Sequence, residues 1–226
     1  MLRNTLIAVV ALAFSASTAS AQYSLLTARA QVGGTGVINW LNTGADNSLV
    51  SNPVSVGVTN TALTATVSQA GETWFARFDQ GTSWSGNFAN GNTLLETRDG
   101  GPMTIMFDSN ISAAGANFQT NYPGSFVGRI SALDLSGNVL AFFNFSGNST
   151  SASDGSAVFA GISSTNGNIR GVRFAGVSAF ASPNDFAINN VSVNGATTTV
   201  PEPGTYALMA SGLLVMAVIR RKARAA

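Results

Sequence analysis

Hydrophobic and polar residues alternate along the middle of this chain in short runs with a period of two, the signature of half-buried β-strands. Val54, Val56 and Val58 share one face of a strand over 54–58, and 63–67 reads as its continuation. The strongest alternation spans 72–79: Trp74, Ala76 and Phe78 point one way, and Phe75 and Arg77 the other. Trp74 alternates with core residues and is expected to be buried. Further strands are expected over 36–42, at Leu94-Leu95 and over 103–107, the last entered through Pro102 after the turn Asp99-Gly100-Gly101. The stretch 126–135, the turn Ser136-Gly137-Asn138 and the stretch 139–145 read as a hairpin, with Val139, Ala141, Phe143 and Phe145 on one face. Turns at Asp154-Gly155-Ser156, Asn166-Gly167-Asn168 and Pro183-Asn184-Asp185 introduce strands over 157–162, 169–174 and 186–193. Residues 80–92 are rich in turn formers and read as a long loop carrying Trp84 and Phe88.

The sum is about nine or ten short strands at intervals of roughly 10–15 residues. No repeat period points to a propeller or solenoid. The expected fold is all-β, an antiparallel β-sandwich of two facing sheets, in jelly-roll form, over 22–195. Residues 196–199 form a Thr-rich linker.

The two ends break the pattern. Residues 1–21 begin with a charge at Arg3, continue through the apolar stretch 6–14 and finish on Ala19-Ser20-Ala21. This is a secretory signal peptide, with cleavage expected between Ala21 and Gln22 after an A-x-A site, and it implies export through the Sec translocon. At the other end, 200–226 has three parts in order: Pro201-Glu202-Pro203, an apolar run expected as a transmembrane helix over 205–219, and a basic tail over 220–226 carrying Arg220, Arg221, Lys222 and Arg224. The prolines fix φ and remove two donors, so the motif is extended and accessible. The basic tail resists translocation and keeps the end of the helix in the cytoplasm.

This three-part arrangement resembles the PEP-CTERM sorting signal of Gram-negative bacteria that make exopolysaccharide. The resemblance implies an exosortase, a membrane transpeptidase, as partner. It implies cleavage near Pro201-Glu202-Pro203 and delivery from a transient membrane anchor to the cell surface or extracellular matrix.

Charge and composition then narrow the chemistry. The whole chain carries a net charge of +1, but that excess sits in the two ends; 22–195 holds six arginines against nine carboxylates, a net −3. Nucleic acid is not an expected partner, because binding it needs clustered positive charge. The chain contains no Cys and no His, and 22–195 contains no Lys. Disulfides, Cys/His zinc sites and Ser-His-Asp, Cys-His and Ser-Lys catalysis are therefore excluded. A glycan hydrolase would need two carboxylates facing a cleft, drawn from Glu72, Asp79, Glu96, Asp99, Asp108 and Asp134. Most of these sit at strand ends or turns, where Asp is ordinary turn chemistry. The chain is not expected to be an enzyme or to hold a cofactor. Ca²⁺ stays open through Asp99, Asp108, Asp134, Asp154 and Asp185, although none has EF-hand spacing.

Trp40, Trp74, Trp84 and Phe88 are candidates for stacking on sugar rings. Trp84 is the foremost, because it lies in a polar loop, with Asn87, Asn90 and Asn92 near it in sequence to bond hydroxyls. Trp84 and Asn87 are the expected glycan contacts. The segments 111–118, Gly124-Ser125-Phe126, 157–162 and 185–191 look like lectin-like jelly-roll ectodomains often attached to this sorting signal. This chain departs from them at Asn189, where they often carry Asp; asparagine is the weaker cation ligand. Two readings follow. One is a non-catalytic structural or adhesive protein of biofilm or exopolysaccharide matrix. The other is a carbohydrate-binding module with a defined glycan site.

Overall fold

A computed structural model of the protein describes residues 22–195. The signal peptide (1–21), the linker (196–199) and the sorting signal with its helix and basic tail (200–226) lie outside the described residues. The regular structure of the described chain is antiparallel sheet, apart from two 3-10 turns, Arg29–Val32 and Trp40–Thr43. Its strands are β1 (Tyr23–Leu26), β2 (Gly36–Ile38), β3 (Ser48–Ser51), β4 (Val54–Gly57), β5 (Thr64–Gln69), β6 (Trp74–Asp79) and β7 (Thr93–Glu96). They continue with β8 (Met103–Thr120), β9 (Gly124–Leu133), β10 (Val139–Ser149), β11 (Val158–Ser164), β12 (Ile169–Ser178), β13 (Phe186–Ile188) and β14 (Val191–Gly195).

The 18-residue strand β8 organises the sandwich. Its first part pairs with β5 on one side and β12 on the other, so that Ile105 faces both Val67 and Val172. With β9 and β10 beyond β12, and β4 beyond β5, this makes the first sheet. The second part of β8 pairs with β11, β13 and β14. From β13 the ladder runs on through β7 and β6 to β3, while β11 carries β1 and β14 carries β2, completing the second sheet. The switch falls at Asp108-Ser109-Asn110, the exposed stretch of an otherwise largely buried strand. A strand that changes sheets at a bend is a recurrent way to turn the corner of a sandwich.

One apolar core lies between the inner faces. At its centre the Phe118 ring lies 4.6 Å from Phe186, 5.2 Å from Phe145 and 5.4 Å from Phe126. Phe126 sits opposite Gly147 and Phe145 opposite Gly128 across the β9–β10 pair. A Cβ on either glycine would come within 2.4 Å of the facing ring. The glycines are thus the space into which the two rings fold, and the cross-strand pairs fix the register.

Several expectations change. The strand expected over 36–42 stops at Ile38, because the Asn39 side chain accepts from the Leu41 backbone N–H and starts the 3-10 turn Trp40–Thr43. The stretch 63–67 does not continue β4; it belongs to β5, its antiparallel partner. The strand over 103–107 extends to Thr120, and the one over 186–193 divides into β13 and β14 at Asn189-Asn190. Trp74 is 42 % exposed while Phe75 is fully buried, so the alternation in β6 is correct and its inward face is the opposite one. Strands β1 and β3 carry too little alternation to be seen in the sequence.

Candidate functional site

The outer face of the second sheet is where loops, turns and polar side chains converge. Leu94 and Ala187 project from it and pack under Trp84 and Phe88 of the loop 80–92. Phe78 adds an aromatic contact, its ring 5.5 Å from that of Trp84. Trp84 is only 7 % exposed and Asn87 3 %. These two residues were the expected glycan contacts, and the structure corrects both. The Trp84 ring is covered by its own loop and strand, leaving no free face for a sugar.

Asn87 is consumed by protein partners. Its amide nitrogen donates to Thr150 Oγ1 at 2.7 Å and Ser156 Oγ at 2.9 Å, and its oxygen accepts from the Thr150 N–H at 2.6 Å. Gln119 Oε1 accepts from the Asn87 N–H at 2.6 Å, and Gln119 Nε2 reaches the Thr150 carbonyl at 3.0 Å. Asn87 therefore joins the loop 80–92, the loop after β10 and the sheet beneath them.

Beside this lid lies a cavity of about 360 Å³. One wall is Arg29, carried by the first 3-10 turn and lying 5.3 Å over the Phe159 ring. Its Nη1 donates to the Asn190 carbonyl at 2.9 Å and Ser192 Oγ at 2.7 Å; its Nη2 donates to Asn117 Oδ1 and Asn189 Oδ1, each at 2.9 Å. Burial pulls the guanidinium pKa below its ordinary value. Asn189 is the hub. Its Oδ1 also accepts from the Asn117 N–H at 3.0 Å, its Nδ2 donates to Asn92 Oδ1 at 2.8 Å, and its carbonyl accepts from Trp40 Nε1 at 3.0 Å. This explains the division of the last strand. The Asn189 and Asn190 carbonyls serve Trp40 and Arg29 instead of a sheet ladder.

The oxygens gathered around Asn189 are the kind that hold Ca²⁺. Here a guanidinium occupies their centre, so the cluster receives its positive charge from the chain itself. The candidate Ca²⁺ ligands do not gather: among the described residues no three acidic side chains converge. Asp99 is a left-handed turn residue at φ 69°. Asp134 accepts the Asn138 side-chain amide on Oδ2 at 3.0 Å and the Asn138 and Ser136 N–H groups on Oδ1, closing the β9–β10 turn; these bonds, the Asn138 side chain's first, hold its carboxyl below the usual range. Asp154 Oδ1 likewise accepts from the Ser156 N–H and hydroxyl, and Asp108 accepts from Thr64.

Of the acids considered for hydrolysis, Glu72 is exposed, and Asp79 is held by Arg77 at 2.8 Å. Glu96 does meet a second carboxyl, that of Asp185, and both residues are only 4 % exposed. Burial, then the hydrogen bond and negative charge of Asp185, push Glu96 up to about 9. A protonated Glu96 can donate to Asp185, whose buried Oδ1 has no other hydrogen-bond partner among the described residues. The pair is sealed under the surface, not set across a cleft. Arg29 was not foreseen in the sequence, where a lone arginine beside a Gly-rich turn carries no signal. Gln22 begins the described chain and its carbonyl accepts from the Thr165 N–H at 3.0 Å, whereas Ala19 and Ala21 lie outside the described residues.

Residues 199–222 match the family model of the PEP-CTERM protein-sorting motif. The match contains Pro201, Glu202, Pro203, Arg220, Arg221 and Lys222, with Arg224 just beyond it. No curated protein is significantly similar to the chain. A solved structure similar to it is the crystal structure of a DUF4465 family protein from Bacteroides caccae, at 11% identity and a TM-score of 0.42, covering 70% of this chain and 98% of that one. The C-terminal motif makes this an exported protein, transiently anchored in the membrane and processed by an exosortase, a membrane enzyme.

Proposed function

We propose that the processed protein is a non-catalytic module of the cell surface or extracellular matrix, with a structural or adhesive role in biofilm or exopolysaccharide. The sorting motif at 199–222 carries this reading. An all-β sandwich suits it, since a chain without cysteine holds its core by apolar packing and not by disulfides. The test is the C-terminal mass of the protein recovered from the native surface, beside a Glu202→Ala variant. Loss of everything beyond the Pro201-Glu202-Pro203 region in the wild type alone supports sorting by cleavage. Intact C-termini in both remove the support.

The cavity favours a second reading, a carbohydrate-binding module. Side-chain amides at Asn92 and Asn190 line it together with the apolar Val37 and Ala157. Amides bond sugar hydroxyls and apolar side chains cover the C–H faces of the ring. The glycan site of this reading is thus the Arg29 cavity in place of Trp84 and Asn87. Glycan-array binding abolished by filling the cavity with Ala157→Leu supports it, and binding indifferent to that change removes it.

A further inference from the structure

We propose that the Arg29 cavity takes a carboxylate-bearing sugar, a uronate; this rests on the carbohydrate-binding reading of the same cavity. Four donated hydrogen bonds of the guanidinium end on neutral oxygens, those of Asn117, Asn189, Asn190 and Ser192. Among the described residues no carboxylate lies within ion-pair distance of it; the salt bridges found there belong to Arg77. Asp154, next to the lining residue Gly155, turns its carboxylate to Ser156 instead. The cavity therefore contains a partly desolvated positive charge with no negative partner, and such a charge draws an anion into a low-dielectric recess.

The free polar groups point the same way. Asn92 Oδ1 is occupied by Asn189 Nδ2, and Asn190 Oδ1 by the Thr93 hydroxyl at 3.2 Å. Each oxygen is thus turned toward a protein donor and each Nδ2 group is wholly unused: neither nitrogen has an acceptor among the described residues. Both residues are partly exposed and line the cavity. What the site presents to a ligand is one cation and two amide donors. That set matches a carboxylate with an adjoining hydroxyl, and charge-assisted bonds to a carboxylate are the stronger kind. Val37 and Ala157 supply the apolar wall for the ring. A volume of about 360 Å³ suits a single sugar and not an extended chain.

The experiment is calorimetric titration of the full-length chain in detergent with glucuronate, glucose and acetate, at low and high salt. Asn92→Asp and Asn190→Asp serve as variants. Each keeps its anchored oxygen acceptor, and so its fold contact, while replacing the free donor by a negative charge. Saturable glucuronate binding weakened by salt, about tenfold or more weaker in each variant, and absent for glucose and acetate supports the proposal. Glucose binding as tightly as glucuronate overturns the uronate and leaves the carbohydrate reading standing. Acetate matching glucuronate overturns the sugar. No binding of any of the three overturns both readings of the cavity. Thermal melts of the two variants within a few degrees of wild type establish that a loss of binding is not unfolding.

Discussion

On the outer face of the first sheet, Phe142 and Asn144 stand in solvent on β10, and Phe142 is 52 % exposed. On the outer face of the second sheet, Trp84 and Asn87 are buried, although their loop is polar and β10 is the regular strand. Amide and aromatic side chains occur on both faces, and what separates them is cover. On the first face, among the described residues, no loop covers Phe142 or Asn144 on β10. The second carries the loop 80–92, the loop after β10 and the Arg29 turn, and these convert surface residues into an interior with its own hydrogen bonds. A polar group under such a lid must be partnered, because an unpaired one costs far more than an exposed one.

Truncating the aromatics breaks the comparison most strongly. Trp84→Ala is expected to cost about 3–5 kcal/mol, the range for large aromatics removed from a packed site. Phe142→Ala is expected to cost about 1 kcal/mol or less, as for an exposed side chain. Urea unfolding of both variants checks this; equal losses would mean that the lid adds nothing to the sheet below it.

The amides give the next contrast. Asn87→Ala removes a buried amide and leaves the half-buried Thr150 N–H without its acceptor, at a cost of about 1–3 kcal/mol. Among the described residues the exposed Asn144 side chain bonds only the half-buried Arg129, at 2.9 Å, so Asn144→Ala should fall within about 0.5 kcal/mol of wild type. Limited proteolysis adds a local reading. Cleavage within 80–92 and 150–157 should rise in Asn87→Ala and stay unchanged in Asn144→Ala.

These pairs also show what the sequence could convey. The β9–β10 hairpin is legible because Ala141, Phe143 and Phe145 alternate with residues that do face water; Val139, expected on the same face, is exposed beyond a register shift. Strand β6 is legible as a strand, but its inward face is not, since Trp74 and Phe75 are equally good core residues until the neighbours are known. Strand β8 hides its length, because 113–116 is buried on both faces and has no polar positions to mark a period. The fate of Trp84 and Asn87 depends on which loop lies over which strand, and local patterning does not encode that. The Arg29 site is illegible for the same reason: its parts come from the N-terminal turn, β8, and the break between β13 and β14. The sorting motif is the reverse case, a signal read as a linear sequence and therefore visible as one.

The Glu96–Asp185 pair turns the comparison into a pH dependence. With Glu96 raised from 4.5 unfolded to about 9 folded, the folded chain holds a proton that the unfolded chain releases. The stability from this group is full below pH 4.5 and is lost as pH rises through about 9. One proton gives a slope of at most about 1.4 kcal/mol per pH unit. Glu96→Gln keeps a donor toward Asp185 and cannot ionise, so its unfolding free energy should lack this decline. Urea titrations across the window check it, and parallel curves for the two proteins would mean that Glu96 is charged in the folded state.

The smallest effect belongs to the open face. Arg129 lies 4.4 Å over the Phe142 ring, in the manner of a cation–π contact, and bonds Asn144 on the same strand. Exposed contacts of this kind are worth about 0.5–1 kcal/mol. Phe142→Leu keeps apolar bulk and removes the ring face, so it isolates that contribution from burial. A loss of about 0.5 kcal/mol, absent when Phe142→Leu is made in an Arg129→Ala background, assigns it to the pair. A loss that persists without Arg129 would assign it to apolar cover over β10, and the first face would then be partly lidded by its own side chains.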